Sequence, residues 1–265
     1  MKRPSVLVFS GADPSSGAGM QADIQAISGL GAHPLSVITA LTVQDNDRVF
    51  STHPVSTDLL QQQAQALIEK IPVSVIKIGI VGSRENAEMI GDIVQILRYM
   101  QPDLQVVLDP VLASGNGNTL AVGDAVKAIT PLISLATVIT PNLSEAQLLC
   151  DGERRAETQA AMLIGLGCPH VLIKGGHGTG KKVVNRWFAE GDAQSWSWPR
   201  LPGTFHGSGC TLASAIAALL AHGKSVVDAI DIAQAYAHQT LEYSYEVADG
   251  QRIPNRSRPF FMAGK

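Results

Sequence analysis

Residues 73–111, "VSVIKIGIVGSRENAEMIGDIVQILRYMQPDLQVVLDPV", decide the fold class. "VSVIKIGIVGS" is short and rich in β-branched residues, so it reads as a strand. "NAEMIGDIVQILRYM" carries apolar residues at helical spacing, and "LQVVLDPV" is a second strand. The same rhythm runs outward in both directions. "SVLVFS" precedes "MQADIQAISGLG", "LSVITALTVQ" precedes "STDLLQQQAQALIEKI", and "GDAVKAITPLI" comes after "LQVVLDPV". Further on, "ATVITPN" precedes "SEAQLLC" and an "AAMLIGLG" helix precedes "HVLIKGG". Repeated βαβ units predict an α/β protein with a mostly parallel central sheet and helices on both faces. The rhythm breaks after Gly180, where "KKVVNRWFAEG" and "AQSWSWP" predict a hairpin. Two long helices are then expected, at about 208–222 and 225–245. There is no linker, low-complexity tract or repeat, which predicts one domain over 1–265. The tail from about 247, with "QRIPNRSRPFFMAGK" at its end, is Pro- and Arg-bearing and is expected at the surface.

The bulk composition excludes several classes. A chain of 265 residues with 45% hydrophobic and 16% charged residues is long enough for a large core. A net charge of -3 gives no reason to expect nucleic acid or an anionic membrane as partner. Cys150, Cys168 and Cys210 share no metal-ligand spacing and make no even disulfide framework. The apolar run near the start is about five residues, too short for a signal peptide. No apolar stretch approaches the roughly 18 residues of a membrane span. A cytoplasmic globular protein is expected.

In such folds ligands bind beyond the carboxyl ends of the strands. Those ends read "SGADPSSGAG", "VQDN", "GIVGS", "DPV", "TPNLSE", "KGGHG" and, opening a late helix, "HGSGC". Polar residues and glycines gather at all of them. Gly175 to Lys181 has the spacing of a phosphate-binding P-loop, but Lys182 stands where the hydroxyl residue should be. The segment "KVVNRWF", from Lys182 on, reads as strand where a helix is required. A glycine-rich entry to a hairpin is the better reading. "GAGMQA" (17–22) matches a dinucleotide fingerprint in letters but lacks the tight turn after a strand and the distal acid. It reads as a glycine loop approaching a small ligand, flanked by Asp13 and Asp23. Asp23 lies in the helix, either as a surface charge or as a ligand contact.

"FHGSGCTLASAIAALLAHG" meets the context test. Gly207, Ser208 and Gly209 precede an Ala/Leu-rich helix, where backbone N–H groups and the helix dipole make an anion hole suited to a phosphoryl group. Cys210 sits in its first turn, where a thiol has a lowered pKa and can act as base or nucleophile. It can equally be a small buried residue at a tight turn. Asp109 ends a strand, and Asn142 and Glu145 open a helix in "TPNLSE". Oxygen ligands of this kind suit Mg²⁺, and Asn142 or Ser144 with an acid in the first turn also suits helix capping.

Taken in order, "GADPSSGAGMQADIQ", "VITALTVQ", "KIGIVGS", "LDPV", "ITPNLSEAQLL", "VLIKGGH" and "HGSGCTLASAIAALLAHG" closely resemble the bacterial hydroxymethylpyrimidine/phosphomethylpyrimidine kinases of thiamine biosynthesis, within the ribokinase-like superfamily. The resemblance runs from about residue 5 to 245. It implies a ribokinase-like three-layer αβα sandwich and a kinase dependent on ATP and Mg²⁺. Such an enzyme phosphorylates 4-amino-5-hydroxymethyl-2-methylpyrimidine and then its monophosphate. It implies Cys210 as catalytic base, with backbone N–H groups of Gly207, Ser208, Gly209 and Cys210 as anion hole. Gln44 would hydrogen-bond the aminopyrimidine, and Gly11, Asp13, Ala18, Ile80 and Val107 would surround the ring. Asp109, Asn142 and Glu145 match the Mg²⁺–phosphate region, and Lys174 and Gly175 the nucleotide side. Family members commonly dimerise, so a homodimer is expected.

Three positions depart from the family pattern. "LASGNGNTL" after DPV lacks the usual Lys, whose charge would then come from elsewhere, with Lys181 or Lys182 as the candidates. Ile80 replaces a common Met, and Phe205 a frequent Thr. The nearest rival is a pyridoxal-type vitamin kinase on the same fold. A catalytically silent pyrimidine-binding protein is the rival from another class.

Overall fold

The computed structural model of the chain describes residues 2–112, 125–176, 178 and 180–260. The strands are β1 (Ser5–Ala12), β2 (His33–Gln44), β3 (Val49–Pro54), β4 (Val75–Ile78), β5 (Gln105–Leu108), β6 (Val138–Ile139), β7 (His170–Ile173), β8 (Lys182–Ala189) and β9 (Asp192–Pro199). The helices are α1 (Gly19–Gly29), α2 (Thr57–Ile68), α3 (Arg84–Met100), α4 (Ala125–Ile133), α5 (Leu143–Leu149), α6 (Ala156–Gly165), α7 (Ser208–Ala221) and α8 (Val226–Glu242). The described strands form one sheet in the order β3-β2-β1-β4-β5-β6-β7-β8-β9. Pairing is parallel from β2 to β7 and antiparallel at both margins.

Because strand side chains alternate, each strand feeds two cores. Leu7, Phe9, Ile76, Ile78, Val106 and Leu108 pack under α2 to α6. Val6, Val8, Val75, Val107 and Val138 face the opposite layer, where α1, α7 and α8 lie. The α/β fold with helices on both faces is therefore as expected, and so are the β8–β9 hairpin and the two late helices. Among the described residues, no helix is long and apolar enough to cross a membrane.

Two readings change. Strand β3 was not expected; it folds back on β2, with Leu41 opposite His53 and Val43 opposite Ser51. Its sequence, "VFSTHP", is short and polar because it covers an edge. The segment after 247 is not a surface tail. Gln251, Ile253 and Arg256 are buried, and Ile253 pairs with Tyr245 by two backbone hydrogen bonds. Pro- and Arg-rich composition suggested solvent, but a buried guanidinium with enough acceptors belongs inside. The "LASGNGNTL" stretch after its first residue, Leu112, and Gly123 and Asp124 before α4, lie outside the described residues.

One buried ion pair joins the sheet to the α1/α7 layer. Lys77 in β4 points to the same side as Val75 and reaches both oxygens of Asp23 in α1, at 3.0 and 2.9 Å. Ser214 in α7 donates to the same carboxylate at 2.6 Å. Lys77 and Asp23 are both fully buried. Burial pulls the Lys77 pKa down, but Asp23, with Cys210 and Asp109 nearby, outweighs it and keeps the ammonium above its ordinary range. Asp23→Ala would strand that charge and is expected to cost roughly 3–5 kcal/mol, whereas pairing Asp23→Leu with Lys77→Met should recover most of it. Urea unfolding of the three proteins checks this, and an Asp23→Ala midpoint equal to wild type would contradict it.

Candidate active site

The site forms where two glycine loops meet. At the end of β1 the chain turns through Asp13 into α1. The Asp13 carboxylate accepts backbone N–H bonds from Ser15 at 2.8 Å and Ala18 at 2.7 Å. Its own backbone N–H donates to the Gln21 side chain. Ala18 has no side-chain cap of its own to offer α1, so Asp13 performs that task from outside the helix. His206 Nε2 lies 2.9 Å from Asp13 Oδ2 and ties this loop to the one that opens α7. Burial alone would raise the Asp13 pKa, but the hydrogen bonds from His206 and Ser15 and the nearby His206 charge outweigh it and hold it at about 2.

Gly207 caps α7 with a left-handed φ of 77°. A Cβ there would stand 2.1 Å from Gly17 O, and one on Gly17 would stand 2.2 Å from His206 Cδ2. Helical bonding starts from Thr211 N–H to Gly207 O. The amides of Ser208, Gly209 and Cys210 precede that ladder, as the anion-hole reading requires.

The other wall comes from β5, β6 and β7. Lys174 Nζ donates to Asp109 Oδ1 at 2.7 Å, and the Thr140 hydroxyl donates to the same oxygen at 3.0 Å. Asn142 and Glu145 form a reciprocal capping box on α5, at 2.7 and 2.9 Å. Capping is thus realised by Asn142. The walls close at Gly209. Its missing Cβ would sit 3.2 Å from Lys174 Nζ and 3.9 Å from Asp109 Oδ2. The ammonium beside the α7 N-terminus is therefore Lys174, while Lys181 and Lys182 are exposed.

Charges are finely opposed here. Burial would raise Asp109, but Lys174 and then Lys77 hold it low. Burial and Asp109 push Glu145 up to about 7 against the pull of Lys174. Cys210 corrects an expectation. Burial, with Asp23 and Asp109 nearby, pushes its thiol up to about 11 despite Lys77 and the Gly19 N–H. A helix N-terminus lowers a thiol only when it outweighs burial and neighbouring carboxylates.

Other expected residues fall into place unevenly. Gly11 and Ile80 are neighbours, a Gly11 Cβ lying 3.5 Å from Ile80 Cδ1. Gln44 is half-buried at the end of β2. Two side chains expected at the ligand are instead closed away: Val107 has no exposed surface in the core, and Asp23 is taken by Lys77. Gly175 N–H donates to Asn185, and a Cβ there would lie 2.1 Å from Val184 O, so this stretch enters a hairpin as expected. His177 and Thr179 lie outside the described residues. Lys77, Thr140 and His206 were given no role from sequence. Lys77 carried one usable signal, a lone lysine in an apolar strand that must find a counter-charge.

Among the described residues no three His, Cys, Asp or Glu side chains converge as a cation cage. Asp109 and Glu145 still suit Mg²⁺, which typically takes one or two carboxylates and completes its shell with water and nucleotide phosphates.

The family profile described as phosphomethylpyrimidine kinase matches residues 13–255. The chain belongs to that family. A hydroxymethylpyrimidine/phosphomethylpyrimidine kinase from Rhizobium meliloti is 36% identical over 257 residues, covering 92% of this chain and 93% of that protein. A phosphomethylpyrimidine kinase structure from Clostridium difficile is 31% identical with a TM-score of 0.73, over 91% of this chain and 100% of that one. The pyridoxal kinase of Staphylococcus aureus, in complex with AMP-PCP and pyridoxal, superposes with a TM-score of 0.85 at 27% identity, over 97% and 94%. These neighbours establish the ribokinase-like fold.

The depressed Asp13 pKa stabilises the fold above the unfolded value of 3.8, and that contribution is lost as pH falls through about 2. It amounts to roughly 1–2 kcal/mol. Urea unfolding between pH 4 and pH 2 should therefore fall less steeply for Asp13→Asn than for wild type; equal slopes would show that Asp13 does not drive the acid sensitivity.

Proposed function

We propose that this chain is the ATP-dependent kinase that converts 4-amino-5-hydroxymethyl-2-methylpyrimidine to its monophosphate and then to the diphosphate in thiamine biosynthesis. The observation that carries the reading is the convergence at Gly209 of the α7 N-terminus, Lys174 and Asp109, one residue from Cys210. Phosphoryl transfer needs positioning and charge neutralisation, and this arrangement offers both. Backbone N–H groups of Ser208 to Cys210 would receive the transferring phosphoryl, and Lys174 would balance its charge. Gly11, Ile80 and Gln44 would frame the aminopyrimidine, whose edge an amide can pair with as donor and acceptor. Ala18 and Asp13 support this pocket from the loop behind it, and Asn142 and Gly175 border the nucleotide. Mg²⁺ on Asp109 and Glu145 would neutralise phosphate charge and offset the Asp109 carboxylate that raises the Cys210 thiol.

Cys210 would take the hydroxyl proton in the first transfer. The monophosphate offers no hydroxyl proton at the second step, so the base is needed once. The three cysteines are free, in keeping with a cytosolic setting, and a single domain acting as a homodimer completes the proposal. A second reading, pyridoxal phosphorylation, draws on the Staphylococcus aureus structure that holds pyridoxal on the same fold. Fold likeness alone does not assign substrate.

ATP consumption with Mg²⁺ should be measured on hydroxymethylpyrimidine, its monophosphate and pyridoxal in parallel. Turnover on both pyrimidines with little on pyridoxal is expected. Preference for pyridoxal would transfer the assignment to the rival, and pyrimidine binding without turnover would indicate a silent binder. Cys210→Ala should lower the first phosphorylation by about 10²–10⁴-fold and the second far less; equal losses would make Cys210 structural.

A further inference from the structure

Arg256 lies one residue beyond the span that matches the family profile and is 1% exposed. Among the described residues its guanidinium meets only neutral oxygens. Nη2 donates to Gly17 O at 2.6 Å, Gly207 O at 3.3 Å and His206 O at 3.4 Å. Nε donates to Thr211 Oγ1 at 2.8 Å, and Nη1 to Gln25 Oε1 at 3.4 Å. The Thr211 hydroxyl in turn donates to Gly207 O at 2.8 Å. The backbone around Arg256 is fixed as well. Asn255 N–H donates to Thr240 O, and the Tyr236 hydroxyl donates to Arg256 O at 3.4 Å.

A buried cation served by neutral oxygens is expensive to retain, so its placement calls for a reason. Peptide geometry supplies one. In a trans peptide the C=O and the following N–H point in opposite directions. Drawing His206 O and Gly207 O onto one guanidinium turns the Gly207 and Ser208 N–H groups away from it. Gly17 shows the same effect on the opposing loop: its O meets Arg256 while the Ala18 N–H is turned to Asp13 Oδ2. Burial lowers the Arg256 pKa, with Cys210, Tyr236, Asp23 and Tyr245 acting against it, and an arginine stays charged under such opposition.

We infer that Arg256 is a positioning residue: it clamps the substrate loop at Gly17 to the cap of α7 and aims the anion-hole amides. It acts through those loops and touches neither the acceptor nor the nucleotide, and the inference rests on the proposed kinase function. Lysine would keep the charge but cannot span three carbonyls with a planar fork.

The test compares Arg256→Lys and Arg256→Ala with wild type. For each, kcat and KM are measured for both pyrimidine steps, with and without millimolar methylguanidinium, alongside thermal unfolding. In folded Arg256→Lys, kcat should fall about 10–100-fold for both transfers, with KM for ATP within about threefold. Methylguanidinium should raise kcat of Arg256→Ala at least about tenfold and leave wild type unchanged. A folded variant with wild-type kcat would overturn the inference, as would a loss that tracks the unfolded fraction and ignores methylguanidinium. Should Arg256→Ala not fold, Arg256→Lys decides alone. Hydrogen exchange separates the clamp from the kinase function. If wild type turns over neither pyrimidine, the kinase proposal fails, and faster exchange of the Ala18 and Thr211 amides in Arg256→Lys still supports the clamp. Unchanged exchange overturns it.

Discussion

The architecture of the site depends on one close approach, that of Gly17 O to the α carbon of Gly207, where a side chain would intrude to 2.1 Å. Two loops that are distant in sequence can meet there only as bare backbone. The left-handed φ of Gly207 adds a second reason for glycine, since a Cβ would clash within its own residue as well. From this contact the α1 and α7 N-termini face a common space. The Asp13–His206 contact then locks it laterally, and Arg256 locks it from behind.

Charge is distributed around that contact in layers. Lys77 and Asp23 neutralise each other beneath the sheet, in full burial. Lys174 and Asp109 repeat the arrangement at the strand ends, but there Lys174 remains 11% exposed beside Gly209. The deeper pair therefore serves the fold, and the shallower one reaches the surface at the strand ends. Low local dielectric strengthens both, and makes the high pKa of Cys210 intelligible: a third anion beside Asp23 and Asp109 is costly until more positive charge arrives.

The comparisons separate fold from substrate. A pyridoxal kinase superposes better than a phosphomethylpyrimidine kinase, at 0.85 against 0.73, yet its identity is lower, at 27% against 31%. Backbone superposition reports the sheet and its helices, which tolerate many pockets. Individual side chains near strand ends, such as Gln44 and Ile80, contribute almost nothing to such a score.

Sequence alone determined the βαβ rhythm, the parallel sheet, the hairpin after Gly180 and the helix that opens at Gly207, because periodicity and glycine placement are local properties. It also marked Cys210, Asp109, Lys174, Asn142 and Glu145, since each stands at a strand end or helix start that the fold class makes important. Tertiary structure decided what those residues face. Asp23 proved to be an ion-pair partner because the period of β4 points Lys77 at α1, a match between segments 54 residues apart. Lys174 proved to be the ammonium beside Gly209 and Asp109 because β7 lies two strands from β5, which no local pattern states. The Arg256 segment proved to be interior because its acceptors, Gly17, His206 and Gly207, come from two other loops. Local chemistry is written along the chain, whereas the partner that satisfies a buried charge is known only once distant strands and loops have been brought together.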